Sequence, residues 1–552
     1  MWKCPVCDKE NTASVCPTCG YDRTCDYEQY PTAFAVTTAK PTRALRRQWQ
    51  EKQGPSPEQW YERYWQEMDT FKRLAYLRTA AEQGYAPAQT DLGLCYEYGK
   101  GVEQDEAQAV RWYRKAAQQG YPWAQCNLGW FYENGTGVEK DTAMAVQWYR
   151  KAAEQGHARA QNNLGLCYEY GRGVEQDFTQ AVRWYRKAAQ QGYPWAQCNL
   201  GWFYENGTGV EKDTAMAVQW YRKAAEQGHA RAQNNLGLCY EYGRGVEQDF
   251  TQAVRWYRKA AQQGYPWAQR NLGLCYEYGR GVEQDTTMAV QWYRKAAEQG
   301  LDEAQNNLGL CYKYGRGVEQ DFAQAVQWYR KAAQQGHAEA QYQLGRCYYL
   351  GRGVEEDEAQ AARWYQKAAE QGYAPALASL AYCYSEGHGV KKNPAEAARW
   401  FQKLARQDTP EAWYWLGDCY KNGSGVEEDE AQAVRWYRKA AEQGCAQAQH
   451  ELGRCYLFGY GLKADAVRAA GWFREAADQG HADAQWWLGY CYRFGEGVDA
   501  DAAQAVHWYQ KAAEQGNKDA QRALADCYEN GRGVPKDANQ AAYWREKAKS
   551  RN

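Results

Sequence analysis

Residues 85–120 read YAPAQTDLGLCYEYGKGVEQDEAQAVRWYRKAAQQG, and a near copy of this string returns every 36 residues to the end of the chain. Gly84, Gly120, Gly156, Gly192, Gly228, Gly264, Gly300, Gly336, Gly372, Gly444, Gly480 and Gly516 stand on that lattice, and Asp408 alone breaks it. Trp112 recurs in all thirteen units, ending at Trp544, so residues 85–552 divide without remainder. Gln108–Gln197 is repeated residue for residue as Gln180–Gln269, which marks a copied two-unit block. At this length three to five separate domains would be the ordinary expectation. A fixed period of this size replaces it with one stacked array.

Each unit reads as two helices. Ala88, Leu92, Cys95, Tyr96 and Gly99 have the spacing of one helical face. The pair Gly99 and Gly101 then allows a turn with positive φ, and Val102 follows as a small plug. Asp105 has the chemistry of an N-cap, with Gln108 three residues later in capping-box position. Ala109, Trp112, Tyr113, Ala116 and Ala117 form the inward face of the second helix. Neither stripe can be buried by one unit alone, so the units must stack.

The pattern from Ala88 through Leu92-Gly93, Tyr96, Gly99-x-Gly101-Val102, Asp105, Ala109, Trp112-Tyr113 and Lys115-Ala116-Ala117 to Gly120 closely resembles the Sel-one-like repeat family, a relative of the tetratricopeptide repeats. The resemblance implies an all-α, right-handed superhelical solenoid and a role as an adaptor in protein complexes. Some secreted members of that family pair cysteines within each repeat and are associated with β-lactam binding. Most units here hold one cysteine, so neither the pairing nor the activity is carried over.

Four segments follow: a zinc ribbon at 1–30, a linker at 31–55, a degenerate capping repeat at 56–84 and thirteen repeats at 85–552. Ser56-Pro57-Glu58-Gln59 has the form of a helix start. At the other end Arg545 replaces the core tyrosine, and Lys547 and Lys549 make the last face wettable.

The 19 cysteines fall into two groups. Eleven occupy the position of Cys95, where Phe131 and Phe203 stand in two units. A site that accepts phenylalanine is a core site, so these thiols are expected to be buried and reduced. Cys4-Pro5-Val6-Cys7 and Cys16-Pro17-Thr18-Cys19 instead form two C-x2-C knuckles. Two such knuckles supply the tetrahedral thiolate set preferred by Zn²⁺, and the segment resembles a short zinc ribbon. Four thiolates leave no open coordination position, so the zinc is structural. Cys25 is left over as a free thiol.

Composition excludes several functions. Basic and acidic residues number 67 and 68, which leaves no global field for nucleic acid or anionic membrane. No apolar run approaches the ~18 residues of a membrane span. Met1-Trp2-Lys3-Cys4 opens on the cysteine motif without an apolar stretch, so a cytoplasmic, bacterial protein is expected. Residues 1–30 carry three basic and five acidic side chains, the wrong balance for a phosphate reader. The linker's Lys40, Arg43, Arg46, Arg47 and Lys52 keep a nucleic-acid adaptor open as an alternative. No G-x-S-x-G, phosphate loop or H-E-x-x-H motif is present. The chain is therefore read as non-catalytic, with a small-ligand-binding or hydrolytic enzyme using the groove as the competing reading.

By analogy with tetratricopeptide arrays, the first helix of each unit lines a concave face. The positions beside its buried stripe hold Trp123, Trp130 and Asn134, then Asn162 and Tyr170. The copied block returns Trp195, Trp202, Asn206, Asn234 and Tyr242, and Trp267, Tyr278, Asn306 and Tyr314 continue the series. Two readings stand. Large aromatics beside glycine turns can fill gaps between units, or they can form a peptide-binding surface with asparagine amides holding the backbone. The second makes the protein an interaction scaffold.

Overall fold

The structure is a computed structural model that describes residues 2–3, 10–11 and 55–549. Cys4, Cys7, Cys16, Cys19 and Cys25, with most of the linker, lie outside the described residues. Strands β1 (Trp2–Lys3) and β2 (Glu10–Asn11) pair antiparallel, with Trp2 opposite Asn11. The other described elements are 28 helices. They fall into two compact units, Met1–Asp285 and Thr286–Asn552, within each of which helix pairs pack in sequence order. No described helix is long and apolar enough to cross a membrane.

Helices α1 (Pro57–Gln66) and α2 (Thr70–Glu82) precede the lattice. In α1 Ser56 and Gln59 close a reciprocal capping box. The first full repeat is α3 (Ala86–Tyr98) followed by α4 (Glu106–Gln118). α3 stops where Gly99 turns left-handed at φ 65°, and Gly101 follows at φ 74°. Asp105 Oδ1 then accepts the Gln108 amide at 2.9 Å and starts α4. The Gln108 side chain does not close the expected box. Asp141 and Asp465 cap equally well with Met144 and Arg468 at the third position, so the aspartate alone carries the start.

Two glycines set how tightly the layers approach. A Cβ on Gly93 would lie 2.7 Å from the Tyr113 ring, so the tyrosine of the second helix rests on the backbone of the first. Tyr113, Tyr149, Tyr185, Tyr221 and Tyr257 are fully buried there. The second turn glycine acts between repeats. A Cβ on Gly173 would meet the Thr142 carbonyl of the preceding repeat at 2.2 Å, and Gly317 stands the same way over Thr286. Only glycine permits both the contact and the positive φ.

A buried ladder of glutamines also joins the repeats. Gln125 Nε2 donates to the Ala117 carbonyl at 3.1 Å, and Gln125 Oε1 accepts from Gln155 at 2.7 Å. Gln161 and Gln191 continue it, as do Gln341 and Gln371 in the second unit. Leu377 and Trp413 interrupt the glutamine series, and Trp413 Nε1 supplies the donor to Ala405 instead, at 3.0 Å.

The lattice cysteines, and Phe131 and Phe203 at the same position, are buried. Fourteen described cysteines are free thiols, and burial pushes Cys95 and Cys167 up to about 12.

Candidate functional site

The expected surface aromatics stand at the surface. In the first unit Trp123, Trp195 and Trp267 are 41 %, 50 % and 42 % exposed, each on the second helical residue of its repeat's first helix. Trp130 and Trp202 are exposed two turns on, each edge-on to the buried Phe131 or Phe203. Tyr170 and Tyr242 are more than half exposed at the ends of the intervening first helices, as are Tyr278 at the end of the Trp267 helix and Tyr314 in the second unit.

Two of these tryptophans lean on histidines, and Trp195 also stacks on Tyr193 at 5.2 Å. Trp123 meets the His157 ring at 4.6 Å and Trp195 meets His229 at 5.3 Å, both edge to face. The two histidines are N-caps: Nδ1 of each accepts the amide three residues on at 3.2 Å. The Nδ1 lone pair is thus committed, and burial, with Arg159 or Arg231 nearby, pulls both pKa values down to about 4. They are neutral helix caps.

The surface tyrosines belong to a relay. Tyr149 Oη donates to Glu133 at 2.8 Å, and Glu133 also receives Arg172 of the next repeat at 3.3 Å. The Arg172 guanidinium lies over the Tyr170 ring, 4.9 Å from its centroid. Tyr221, Glu205, Arg244 and Tyr242 repeat the arrangement, as do Tyr257, Glu241, Arg280 and Tyr278. Tyr170, Tyr242 and Tyr278 are thus each covered by an arginine that is also paired with a glutamate, and tyrosine and arginine are both residue types enriched in interface hot spots. The arginines were missed in the sequence, although their recurrence two residues after each tyrosine is visible there.

The asparagines are placed differently from the expectation. Asn162, Asn234 and Asn306 are buried, where Asn162 accepts from Asn199 at 3.1 Å, Asn234 accepts from Asn271 at 3.0 Å and Asn306 donates to Glu339 at 3.2 Å. Asn134 and Asn206 are exposed, yet each spends its amide N–H on the carbonyl of Trp130 or Trp202 at 2.8 Å. A polar residue beside a helix stripe meets backbone groups first. The exposed asparagines therefore contribute less to the surface than the aromatics and arginines do.

Two cavities among those formed by the described residues bear on function. One, of about 750 Å³, is polar and includes Arg150, Glu154, Asp177 and Trp184. The other, about 720 Å³, lies in the second unit between Tyr349 and Ser424, where the repeats diverge most. No grouping of His, Cys, Asp or Glu suited to a metal occurs among the described residues.

Two-helix units stacked on a 36-residue period define a helical-repeat protein of the solenoid class. Within that class the chain belongs to the Sel1 repeat family, whose model matches thirteen successive segments from residues 86–121 to 518–552. The crystal structure of c5321, a protective antigen of uropathogenic Escherichia coli strains with an SLR fold, is 39 % identical with a TM-score of 0.63. It covers 80 % of this chain and 94 % of its own. A Sel1 repeat protein from Oxalobacter formigenes is 38 % identical over 55 % of this chain and 88 % of its own, with a TM-score of 0.43. No curated protein sequence matches the chain significantly. Sel1-repeat proteins are generally protein-interaction scaffolds, and the family is typically non-catalytic.

Proposed function

We propose that this chain is a non-catalytic scaffold that binds a protein or peptide along the first helices of residues 86–285. The observation that carries this reading is the row Trp123, Trp195 and Trp267, exposed at one repeat position every 72 residues. Arg159 and Arg231 hold that position in the intervening repeats. A position that takes both residue types is not dictated by packing, and tryptophan and arginine are the residues most often found at hot spots.

Changing all three tryptophans to alanine tests it. Partner capture from the native host is expected to fall by ~1–2 kcal/mol or more per engaged tryptophan. Stability is expected to shift by only about 0.5 kcal/mol per site, as at other surface positions. A large drop in melting temperature with the captured partners unchanged would make the rings mortar between repeats.

The ribbon belongs to the same proposal. Cys4, Cys7, Cys16 and Cys19 would hold one Zn²⁺, and the antiparallel pair Trp2–Lys3 with Glu10–Asn11 brings together chain on both sides of the first knuckle. A structural tetrathiolate site contributes ~10–16 kcal/mol near neutral pH. Elemental analysis should find one zinc per chain, lost in Cys4→Ser without change in helical signal. Protein without zinc that takes none up on titration would refute the ribbon.

A further inference from the structure

The 720 Å³ cavity owes its existence to a local failure of the repeat. In regular repeats a glutamate such as Glu133 or Glu169 lies against the buried tyrosine and takes its hydroxyl, at 2.8 and 2.5 Å. At the cavity the equivalent positions are Tyr349 and Ser385, and one of the tyrosines they should bind is Phe401. Replacing a glutamate by serine and removing a hydroxyl empties the space that the pair filled. Trp415 and Tyr382 then face it from neighbouring first helices, with Trp415 stacked on Phe401 at 6.0 Å and 14°.

The lining is aromatic and acidic. Asp418 stands where earlier repeats carry Leu94, Trp130 or Leu166, and Glu386 is the other charged residue. No lysine, arginine or histidine is among the lining residues. Around it Lys421 bonds Glu451 at 2.6 Å, Lys392 lies 4.0 Å from Glu386, and His388 bonds Glu358 at 2.8 Å while packing against the Tyr382 and Tyr349 rings, which leaves Asp418 as the lining carboxylate without a lysine or arginine salt bridge. Asp418 Oδ1 accepts from Tyr437 at 3.1 Å, and a carboxylate has further lone pairs to offer.

We propose that this cavity binds an organic cation, a guanidinium or alkylammonium group, between the faces of Trp415, Tyr382 and Tyr349 with Asp418 as its counter-ion. Aromatic faces attract cations most strongly when water is displaced from them. The volume is that of a small-molecule site. Burial pushes the Asp418 carboxyl above its ordinary range, and a cation bound beside it would oppose that shift. The site is separate from the tryptophan row and does not depend on it.

Calorimetric titration of the full chain with N-acetylarginine amide and with tetramethylammonium tests the proposal, with neutral norleucine amide as the control. Both cations should bind at one site at least tenfold more tightly than the control. Asp418→Asn, which keeps an acceptor for Tyr437, should weaken them about tenfold with the melting temperature unchanged. Ser385→Phe should abolish binding by filling the space. A blocked peptide with one internal arginine that binds more tightly than the amide would assign the cation to a polypeptide, and equal affinity would assign it to a free small cation. Equal binding of the neutral control, indifference to Asp418→Asn, or no cation binding at millimolar concentration would overturn the proposal.

Discussion

His157 and His229 each do two things with one ring, because Nδ1 caps a helix while the ring face supports an exposed tryptophan. Capping requires the neutral ring, and burial holds both pKa values near 4, below the ordinary 6.5. Between those limits the unfolded chain binds more protons than the folded one, so stability rises with pH. Their contribution is complete above about pH 6.5 and is lost as the pH falls through 4. Asn517 performs the same cap at 2.8 Å with a side chain that does not titrate. The double variant His157→Asn/His229→Asn should therefore lose less melting temperature than the parent between pH 7.5 and 4.5. Identical pH profiles would mean that the caps do not titrate. The recurrence of these histidines after the repeat glycine was legible in the sequence, but their role was not. A cap is recognised by where the lone pair points, and spacing does not encode that.

At the scale of the element, the glycine–tyrosine contact joins the two helices of each repeat. Gly165 accommodates the Tyr185 ring, where a Cβ would approach to 2.7 Å, and the Tyr185 hydroxyl is tied to Glu169 at 2.5 Å. Gly165→Ala should destabilise by ~1–3 kcal/mol, as overpacking does. The chain carries its own compensations: Ala381 occurs with Phe401 and Ala525 with Arg545. Releasing the hydroxyl lets the ring shift, so Gly165→Ala combined with Tyr185→Phe should cost less than the sum of the single changes. A double-mutant cycle by urea denaturation reads the difference, and strict additivity would show that the tether is irrelevant. Helix starts and stops were legible because Asp105 and Gly99 act within a few residues of themselves. The glutamine ladder was not, because Gln125 and Gln155 meet across 30 residues and both look like surface polar residues in a string.

For the whole molecule, the period fixes which neighbours each layer has, and stability follows as intrinsic repeat terms plus interfaces between neighbours. Those interfaces are unequal. From Gln89 to Gln263 the ladder runs through nearly identical copies. Around residues 377–413 it is interrupted, Ala381 replaces the packing glycine, and Asp408 holds φ 53° as the one described non-glycine residue with positive φ. A left-handed residue with a side chain costs ~1–2 kcal/mol. These departures from the lattice were visible in the sequence, but the cavity they open was not, since it depends on which side chains converge. The thirteen repeats each carry at least one buried cysteine, counting Cys126 and Cys198 where phenylalanine takes the usual place. The chain thus contains a reporter of opening in every layer. Native protein should first react with a thiol reagent at Cys445, the one described cysteine that is not buried. In mild urea Cys383 and Cys419 should be labelled next, together with Cys527 in the last repeat, and Cys167, Cys198 and Cys239 should follow at higher concentration. Mass spectrometry of the labelled peptides gives the order directly. Simultaneous labelling of all the buried thiols would mean that the array opens as a single cooperative unit, with the irregular repeats no weaker than the copied ones.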